Sequence, residues 1–276
     1  MATRIVDTSR LRTFHKFSDH HDAIDMSQDQ LEIFTQLLER ASNIVFFTGA
    51  GISTESGIPD FRSPGTGLWT KMKPIQYQDF IASEDVRTES WQRRFGGERP
   101  MEKAQPNQGH LAIARLVNAG SCSAIITQNV DNLHQNSGVA DDKVIELHGN
   151  ATYASCLNCA TRYEMADLEQ QFNQHGRVDA CSRCGGIIKS ATISFGQAMP
   201  EAAMRRAQAA TEACDLMISV GTSLQVYPAA GFVEYAKQLG ATLAILNRES
   251  TPMDGIADLV LNLEIGPTLA FATGLN

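Results

Sequence analysis

The chain has 276 residues, 43% hydrophobic and 20% charged, with 31 acidic against 23 basic side chains and a formal net charge of −8. That length allows one large domain or two modest ones, with a core that removes most of the unfolded surface from water. The acidic balance excludes a protein that grips nucleic-acid phosphates, the lack of any apolar run near 18 residues excludes a membrane span, and the composition excludes collagen-like, low-complexity and disulfide-scaffold classes.

Residues 1–26 read as a polar tail. They hold no apolar signal core, and Asp7, Asp19, Asp22 and Asp25 offset Arg4, Arg10 and Arg12, so the expectation is a cytoplasmic protein without a leader. A helix is predicted next, with Ser27 as N-cap and Leu31, Phe34, Leu37, Leu38 and Ala41 on one face. Short apolar runs then recur, each ending in polar or glycine residues: Ile44–Phe47, Ala124–Ile126, Val144–Leu147, Leu216–Val220, Leu243–Leu246 and Leu259–Leu261. They read as strands buried on both faces. Helices are predicted over Leu111–Ala119, Glu201–Ala213 and Ala229–Leu239, the last behind Pro228.

Such alternation predicts an α/β fold, a doubly wound parallel Rossmann-like sheet. Residues 27–150 and 190–276 would form it. An irregular or helical insertion is expected over about 64–106, and a small zinc-ribbon module over 151–189.

The first strand runs into Thr48-Gly49-Ala50-Gly51-Ile52-Ser53-Thr54-Glu55-Ser56-Gly57. Glycines between strand and helix let backbone N–H groups approach a pyrophosphate, with the helix N-terminus adding positive potential. A tight turn without a ligand is the other reading. The spacing is not G-x-G-x-x-G, and no acidic residue closes a second strand about 20 residues on, so an ordinary hydride-transfer dehydrogenase is disfavoured.

Cys156-x-x-Cys159 and Cys181-x-x-Cys184 are separated by 21 residues. Two such knuckles present four thiolates to one Zn²⁺ at ~2.3 Å and leave no open position, so this zinc is expected to be structural. Disulfides within each pair are the alternative, disfavoured in a cytosolic chain. Cys122 and Cys214 read as small buried hydrophobes.

Of seven histidines, His148 stands out. It follows a strand and precedes Gly149, which places an imidazole at the carboxyl edge of the sheet, where open α/β proteins bind ligands. There it is either a general base or a packed structural residue. His110 opens a helix and His134 sits in a polar loop; packing or hydrogen bonding suffices for both. Gln128-Asn129-Val130-Asp131-Asn132 suits ribose hydroxyls and a carboxamide, or forms an Asn/Asp-rich turn. Asp60 and Arg62 make either a salt-bridged turn or a phosphate-side pair.

Taken in order, these segments resemble the sirtuin family: Gly49–Ser53, Gly57-Ile58-Pro59-Asp60-Phe61-Arg62, Gln128–His134, Glu146-Leu147-His148-Gly149, the paired cysteines, Phe195-Gly196, Gly221-Thr222-Ser223 and Asn247. The resemblance runs from about Ser27 to near the C-terminus. It implies NAD-dependent removal of acyl groups from protein lysines, with NAD consumed, one structural zinc, and acyl-lysine proteins or peptides as partners; neither nucleic acid nor membrane is implied, and a monomer suffices.

In the chemistry the resemblance implies, the acyl oxygen attacks the nicotinamide ribose and nicotinamide leaves. His148 then acts as base toward a ribose hydroxyl, and water completes release of lysine and O-acyl-ADP-ribose. By the same resemblance Gln128 and Asn129 join His148 as catalytic residues. Gly49, Ala50, Gly51, Ile52 and Ser53 hold the pyrophosphate. Glu55, Asp60, Phe61, Arg62 and Trp69 belong to the cofactor loop. Gln128 holds the ribose, and Asn129, Val130 and Asp131 line the nicotinamide pocket. Gly221, Thr222, Ser223, Asn247, Arg248, Glu249 and Ile265 flank the phosphate and adenosine end.

Lys189-Ser190-Ala191-Thr192-Ile193-Ser194-Phe195-Gly196-Gln197 stands where many sirtuins carry Lys-Pro-Asp-Val-Val-Phe-Phe-Gly-Glu. Ile193, Phe195 and Gly196 would border the cleft in which a peptide adds as a strand. The Pro74–Phe95 stretch is similar to that of class-II-type sirtuins. That similarity implies weak deacetylation, with lipoamidase activity or protein mono-ADP-ribosylation as alternatives. Trp91-x-x-Arg94 falls near the place where sirtuins preferring acidic acyl groups carry Tyr-x-x-Arg, so Arg94 would meet a succinyl or glutaryl carboxylate, or else be a surface charge.

Overall fold

The computed structural model describes residues 21–60, 65, 67 and 73–275, with side chains from residue 28 onward. Residues 1–20 of the tail expected over 1–26, and the expected cofactor residues Phe61, Arg62 and Trp69, therefore lie outside the described residues. Among the described residues no helix is long and apolar enough to cross a membrane.

Six parallel strands make the main sheet: β1 (Ile44–Thr48), β2 (Cys122–Thr127), β3 (Val144–Glu146), β7 (Leu216–Val220), β8 (Thr242–Leu246) and β9 (Leu259–Leu261). Their order across the sheet is β3-β2-β1-β7-β8-β9. The strand order reverses between β1 and β7, the switch point at which open α/β sheets leave a crevice.

The period-two alternation of strand side chains divides the core. Ile44, Phe46, Ile218, Val220 and Leu246 face one layer of helices: α1 (His21–Arg40), α5 (Gln108–Asn118) and α10 (Ile265–Thr273). Val45, Phe47, Met217, Leu243 and Ile245 face the other: α8 (Glu201–Ala213) and α9 (Gly231–Gln238). Two-sided burial explains why these strands read as continuous apolar runs.

Two helix boundaries correct the sequence reading. Helix α1 begins at His21, so Ser27 lies inside it and is not its first residue; residues 21–26 hold no Gly or Pro to stop it. Helix α9 begins at Gly231, because residues 226–230 form turns in which the amide of Ala230 donates to Val226 O at 2.8 Å; Pro228 sits in that turn and not in a first helical turn.

The insertion before α5 folds as α2 (Tyr77–Ala82), α3 (Glu84–Phe95) and α4 (Pro100–Lys103). Between β2 and β3 lies the single turn α6 (Leu133–Asn136). The cysteine-bearing stretch makes a second sheet from β4 (Gly149–Cys156), β5 (Arg162–Glu164) and β6 (Ile188–Thr192), all antiparallel, with α7 (Met165–His175) beside it. That sheet reaches two or three residues beyond the expected 151–189 at each end. Trp91 of α3 is buried in its core with Leu168 and Ile188 and stacks on Phe95 at 5.4 Å. The indole is thus spent on holding α3 to the small sheet.

The loops after β1 and β7 press backbone to backbone. The Gly51 amide donates to Gly221 O at 2.8 Å, and the Gly49 amide to Val220 O at 3.0 Å. A Cβ on Gly221 would stand 2.4 Å from the Ile52 amide nitrogen, and φ there is +62°. Gly221→Ala is expected to cost more than about 3 kcal/mol, combining left-handed strain with displaced backbone. Gly138→Ala, at φ +93° with open space around it, should cost only the conformational part, about 1–2 kcal/mol. Denaturant unfolding of both checks this, and equal losses would contradict the tight loop contact.

Candidate functional site

A cleft of about 930 Å³ opens over the carboxyl ends of β1, β2 and β7. Its walls come from the segments singled out in the sequence: Gly49, Ala50, Gly51, Ser53, Glu55 and Asp60 after β1; Gln128–Asp131 after β2; His148 after β3; Gly221–Ser223 after β7; Asn247–Glu249 after β8; and Ile265 at the start of α10. Ile193, Phe195, Gly196 and Arg94 line its other side. Ile52 does not join them. Its side chain is wholly buried in the sheet core, so only its backbone could face the cleft.

The glycine segment does not lead into the expected α-helix. Gly49 is extended (φ −128°), and the residues after it form a 3-10 stretch, Ala50–Ser56, not an α-helix. A Cβ on Gly51 would stand 2.7 Å from Gly221 Cα. These glycines are therefore required by close packing of two loops, and that packing shapes the floor of the cleft. Glu55 does not point free into the site: its carboxylate accepts from the Gly266 amide at 2.8 Å and ties the loop to α10.

The polar groups after β2 are wired together. Gln128 Nε2 donates to Thr222 Oγ1 at 2.9 Å, which joins the β2 and β7 loops. Asn129 Nδ2 donates to Gly49 O at 3.1 Å and to Ser53 Oγ at 3.3 Å. Ser53 in turn donates to Asp131 at 2.7 Å, and burial pushes the Asp131 carboxyl above its ordinary pKa.

His148 Nδ1 lies 3.0 Å from Gln128 O. A carbonyl only accepts, so Nδ1 carries the proton and Nε2 keeps its lone pair, with no partner among the described residues. Burial holds this imidazole below its ordinary pKa of 6.5. The ring is thus neutral and basic at pH 7. The same residue fixes the neighbouring wall, since the Ile193 amide donates to His148 O at 2.8 Å.

Sequence reasoning missed several residues here. Gln225 and Val226 also line the cleft; their signal is conformational, Leu224 before them holding φ +53°. Lys189 is buried, donates to Thr192 O at 2.5 Å, and has its ammonium pushed down to about 8 by burial. Gln197, standing where the sirtuin pattern has Glu, accepts from the Ser194 amide at 3.2 Å and closes the turn at the cleft's edge.

The four expected cysteines do come together. Their Sγ atoms all lie within 4.8 Å of one another, with Cys156–Cys184 at 3.5 Å and Cys159–Cys181 at 3.6 Å. Zn–S bonds of ~2.3 Å in a tetrahedron require sulfurs ~3.8 Å apart, whereas a disulfide requires ~2.05 Å. The donor set fits one closed zinc. The Asn158 amide, at 3.4 Å from Cys156 Sγ, and Tyr163 Oη, at 3.0 Å from Cys181 Sγ, point donors at the thiolates. Cys122 is buried as expected; Cys214 is half-buried and donates to Thr211 O at 3.2 Å.

Comparison with known proteins agrees with this arrangement. The Sir2 family model matches residues 49–228, more than half of the chain. A protein of Rhodopseudomonas palustris named NAD-dependent protein deacetylase is 53% identical over 239 residues, covering 87% of this chain and 94% of its own length. A Pseudomonas putida protein named NAD-dependent protein deacylase is 36% identical over 246 residues, covering 87% and 93%. Among solved structures, a complex described as Sir2, p53 peptide and NAD+ superposes with a TM-score of 0.78 at 35% identity, over 89% of this chain and 99% of the other.

Metal analysis of the purified protein is expected to find one zinc per chain. Cys181→Ser should lower that content and speed hydrogen exchange across β4 and β6, while the six-stranded sheet stays protected, because metal binding and local folding are coupled. Full protection of the small sheet in metal-stripped protein would refute a structural zinc.

Proposed function

The chain belongs to the Sir2 family, and from that premise we propose that it removes acetyl groups from protein lysine side chains at the expense of NAD, yielding nicotinamide, O-acetyl-ADP-ribose and free lysine. One observation carries the reading. The cleft has a dinucleotide-sized polar rim on one side and a strand-like wall on the other, and a single neutral imidazole stands between them with its lone pair uncommitted.

Bound NAD supplies a glycosidic bond to nicotinamide whose cleavage activates the acyl group for transfer. Everything else falls to the chain. The loops Gly49–Gly51 and Gly221–Ser223 shape the floor for the pyrophosphate. Gln128, anchored through its amide nitrogen to Thr222, keeps Oε1 for a ribose hydroxyl. Asn129, anchored at Gly49 and Ser53, keeps Oδ1 for the nicotinamide end, and Asp131 closes that pocket. Asn247 and Ile265 stand at the adenosine end. The wall Ile193–Gly196 takes the peptide as an added strand and brings its lysine towards His148. His148 Nε2 takes the proton from the ribose hydroxyl, and the carbonyl of Gln128 supports the positive charge that the ring gains.

The choice of acetyl over acidic acyl groups rests on Arg94. Its Nη2 donates to Ala151 O at 3.0 Å and its Nη1 lies 3.6 Å from Glu102. The guanidinium is thereby turned to internal partners, and burial lowers its pKa.

His148→Ala should still bind NAD, read by calorimetry, while turnover falls by about 10²–10⁴. In the wild type, kcat/KM should fall as pH drops through the His148 pKa. Since burial depresses that pKa, the acid limb should lie below 6.5. Full turnover in the alanine variant would remove His148 from the chemistry.

A panel of acetyl-, succinyl-, glutaryl- and lipoyl-lysine peptides, read by mass spectrometry, tests the acyl choice. Acetyl-lysine is expected to be the best substrate in both wild type and Arg94→Ala. Succinyl or lipoyl preference would overturn it, and radiolabel from NAD accumulating on protein would point to mono-ADP-ribosylation.

A further inference from the structure

Two histidines away from the reacting centre are buried at the base of the site. His110 of α5 and His134 of α6 are essentially inaccessible to solvent, and their rings meet edge to face at 5.1 Å. Each has one nitrogen without a partner among the described residues, Nε2 in His110 and Nδ1 in His134. Burial pushes both pKa values down, to about 4 for His110 and well below 6.5 for His134, so both rings are neutral. Buried polar atoms without a partner are uncommon in folded proteins.

The hydrogen bonds fix the tautomers. His110 Nδ1 accepts from the Asn107 amide at 3.4 Å, in a capping box at the start of α5, so its proton sits on Nε2. His134 Nε2 is 2.9 Å from Thr48 Oγ1. That hydroxyl spends its own proton on Thr127 Oγ1 at 2.8 Å. Thr48 must therefore accept from His134, and Nε2 of His134 carries the hydrogen. Thr127 Oγ1 also accepts from the Asn129 backbone amide at 3.0 Å. The result is a directed chain from His134 through Thr48 to Thr127, which meets the Asn129 amide. Thr48 and Thr127 stand at the last positions of β1 and β2. All the groups are buried, so none of these bonds is replaced by solvent; the first two fix the Thr48 and Thr127 side chains, and Thr127 Oγ1 is thereby held where it can accept from the Asn129 amide.

We propose that His134 is a positioning residue: its single N–H, relayed through the Thr48 and Thr127 hydroxyls, holds the backbone of Asn129 and thereby aims the Asn129 side chain at the leaving-group end of the cleft. The proposal deepens the deacetylase reading and rests on it for the step affected. The relay itself does not, because the Asn129 amide reports on it directly.

The test compares His134→Leu with His134→Gln in the full chain. Leucine fills space without a donor, while the glutamine amide nitrogen stands in for Nε2–H. Amide hydrogen exchange at Asn129, read by NMR, is expected to be about tenfold faster in the leucine variant, the order of one buried hydrogen bond, and restored to within about threefold by glutamine. For NAD-dependent deacetylation, kcat should fall about tenfold in the leucine variant with KM for the acetylated peptide unchanged, and glutamine should recover it. If the leucine variant fails to fold, Thr48→Val against Thr48→Ser breaks or keeps the middle of the same relay, with the same split expected.

Unchanged Asn129 protection in His134→Leu, or equal impairment of the leucine and glutamine variants, overturns the proposal. A wild-type protein without NAD-dependent turnover would instead sink the deacetylase reading, and the exchange comparison would still decide the relay.

Discussion

The contact on which the rest depends is the backbone-to-backbone meeting of the loops after β1 and β7. Both strands end at the switch point, and their loops must turn away in opposite senses. They pass so closely that glycine hydrogens fill the space where side chains would stand, and the Gly51 amide closes on Gly221 O at 2.8 Å. Everything downstream uses this floor. Thr222 leaves it to hold Gln128, Gly49 O receives Asn129, and Ser53 at its far end receives Asp131 through a hydroxyl proton. The polar groups of the site are thus positioned by main chain that has almost no freedom to move, which is the preorganisation that site chemistry requires.

A second constraint links the site to the small sheet. His148 ends the short link from β3, and the next residue, Gly149, opens β4. The imidazole is therefore held from three sides: by the sheet, by the Gln128 carbonyl, and by the Ile193 amide bonded to its own carbonyl. The cleft wall at Ile193 and the imidazole of His148 are thus tied through one piece of backbone. Trp91 extends this coupling to α3, whose aromatic face is buried against the small sheet.

Much of this was legible in the sequence. Strands buried on both faces show as short apolar runs, and paired cysteines at matched spacing advertise their geometry. His148 is visible because a polar residue directly after such a run must emerge at the sheet's edge. What stayed hidden depends on partners distant in sequence. Ile52 sits in the chain among residues that line the cleft, yet in the 3-10 stretch its side chain turns to the core. Gly49 and Gly51 look like a phosphate motif, while their steric reason lies some 170 residues away at Gly221. His134 reads as part of a polar loop, and only the meeting of β1 with β2 reveals the threonine hydroxyl it serves. Helix α1 starts early because nothing in residues 21–26 stops it, and a serine that could cap a helix at residue 27 drew the expected start past them.

The small sheet leaves and rejoins the main body at neighbouring points, for Gly149 of β4 is paired with Thr192 of β6. Its entrance and exit are side by side, so the winding of the large sheet does not depend on what is threaded between them. The unit is in effect a cassette. Its length and outer surface are not set by the large sheet, which requires only that the two ends stay adjacent. Because Ser190 and Thr192 of this cassette also line the cleft, one margin of the cleft is built by a unit that the winding of the large sheet does not constrain.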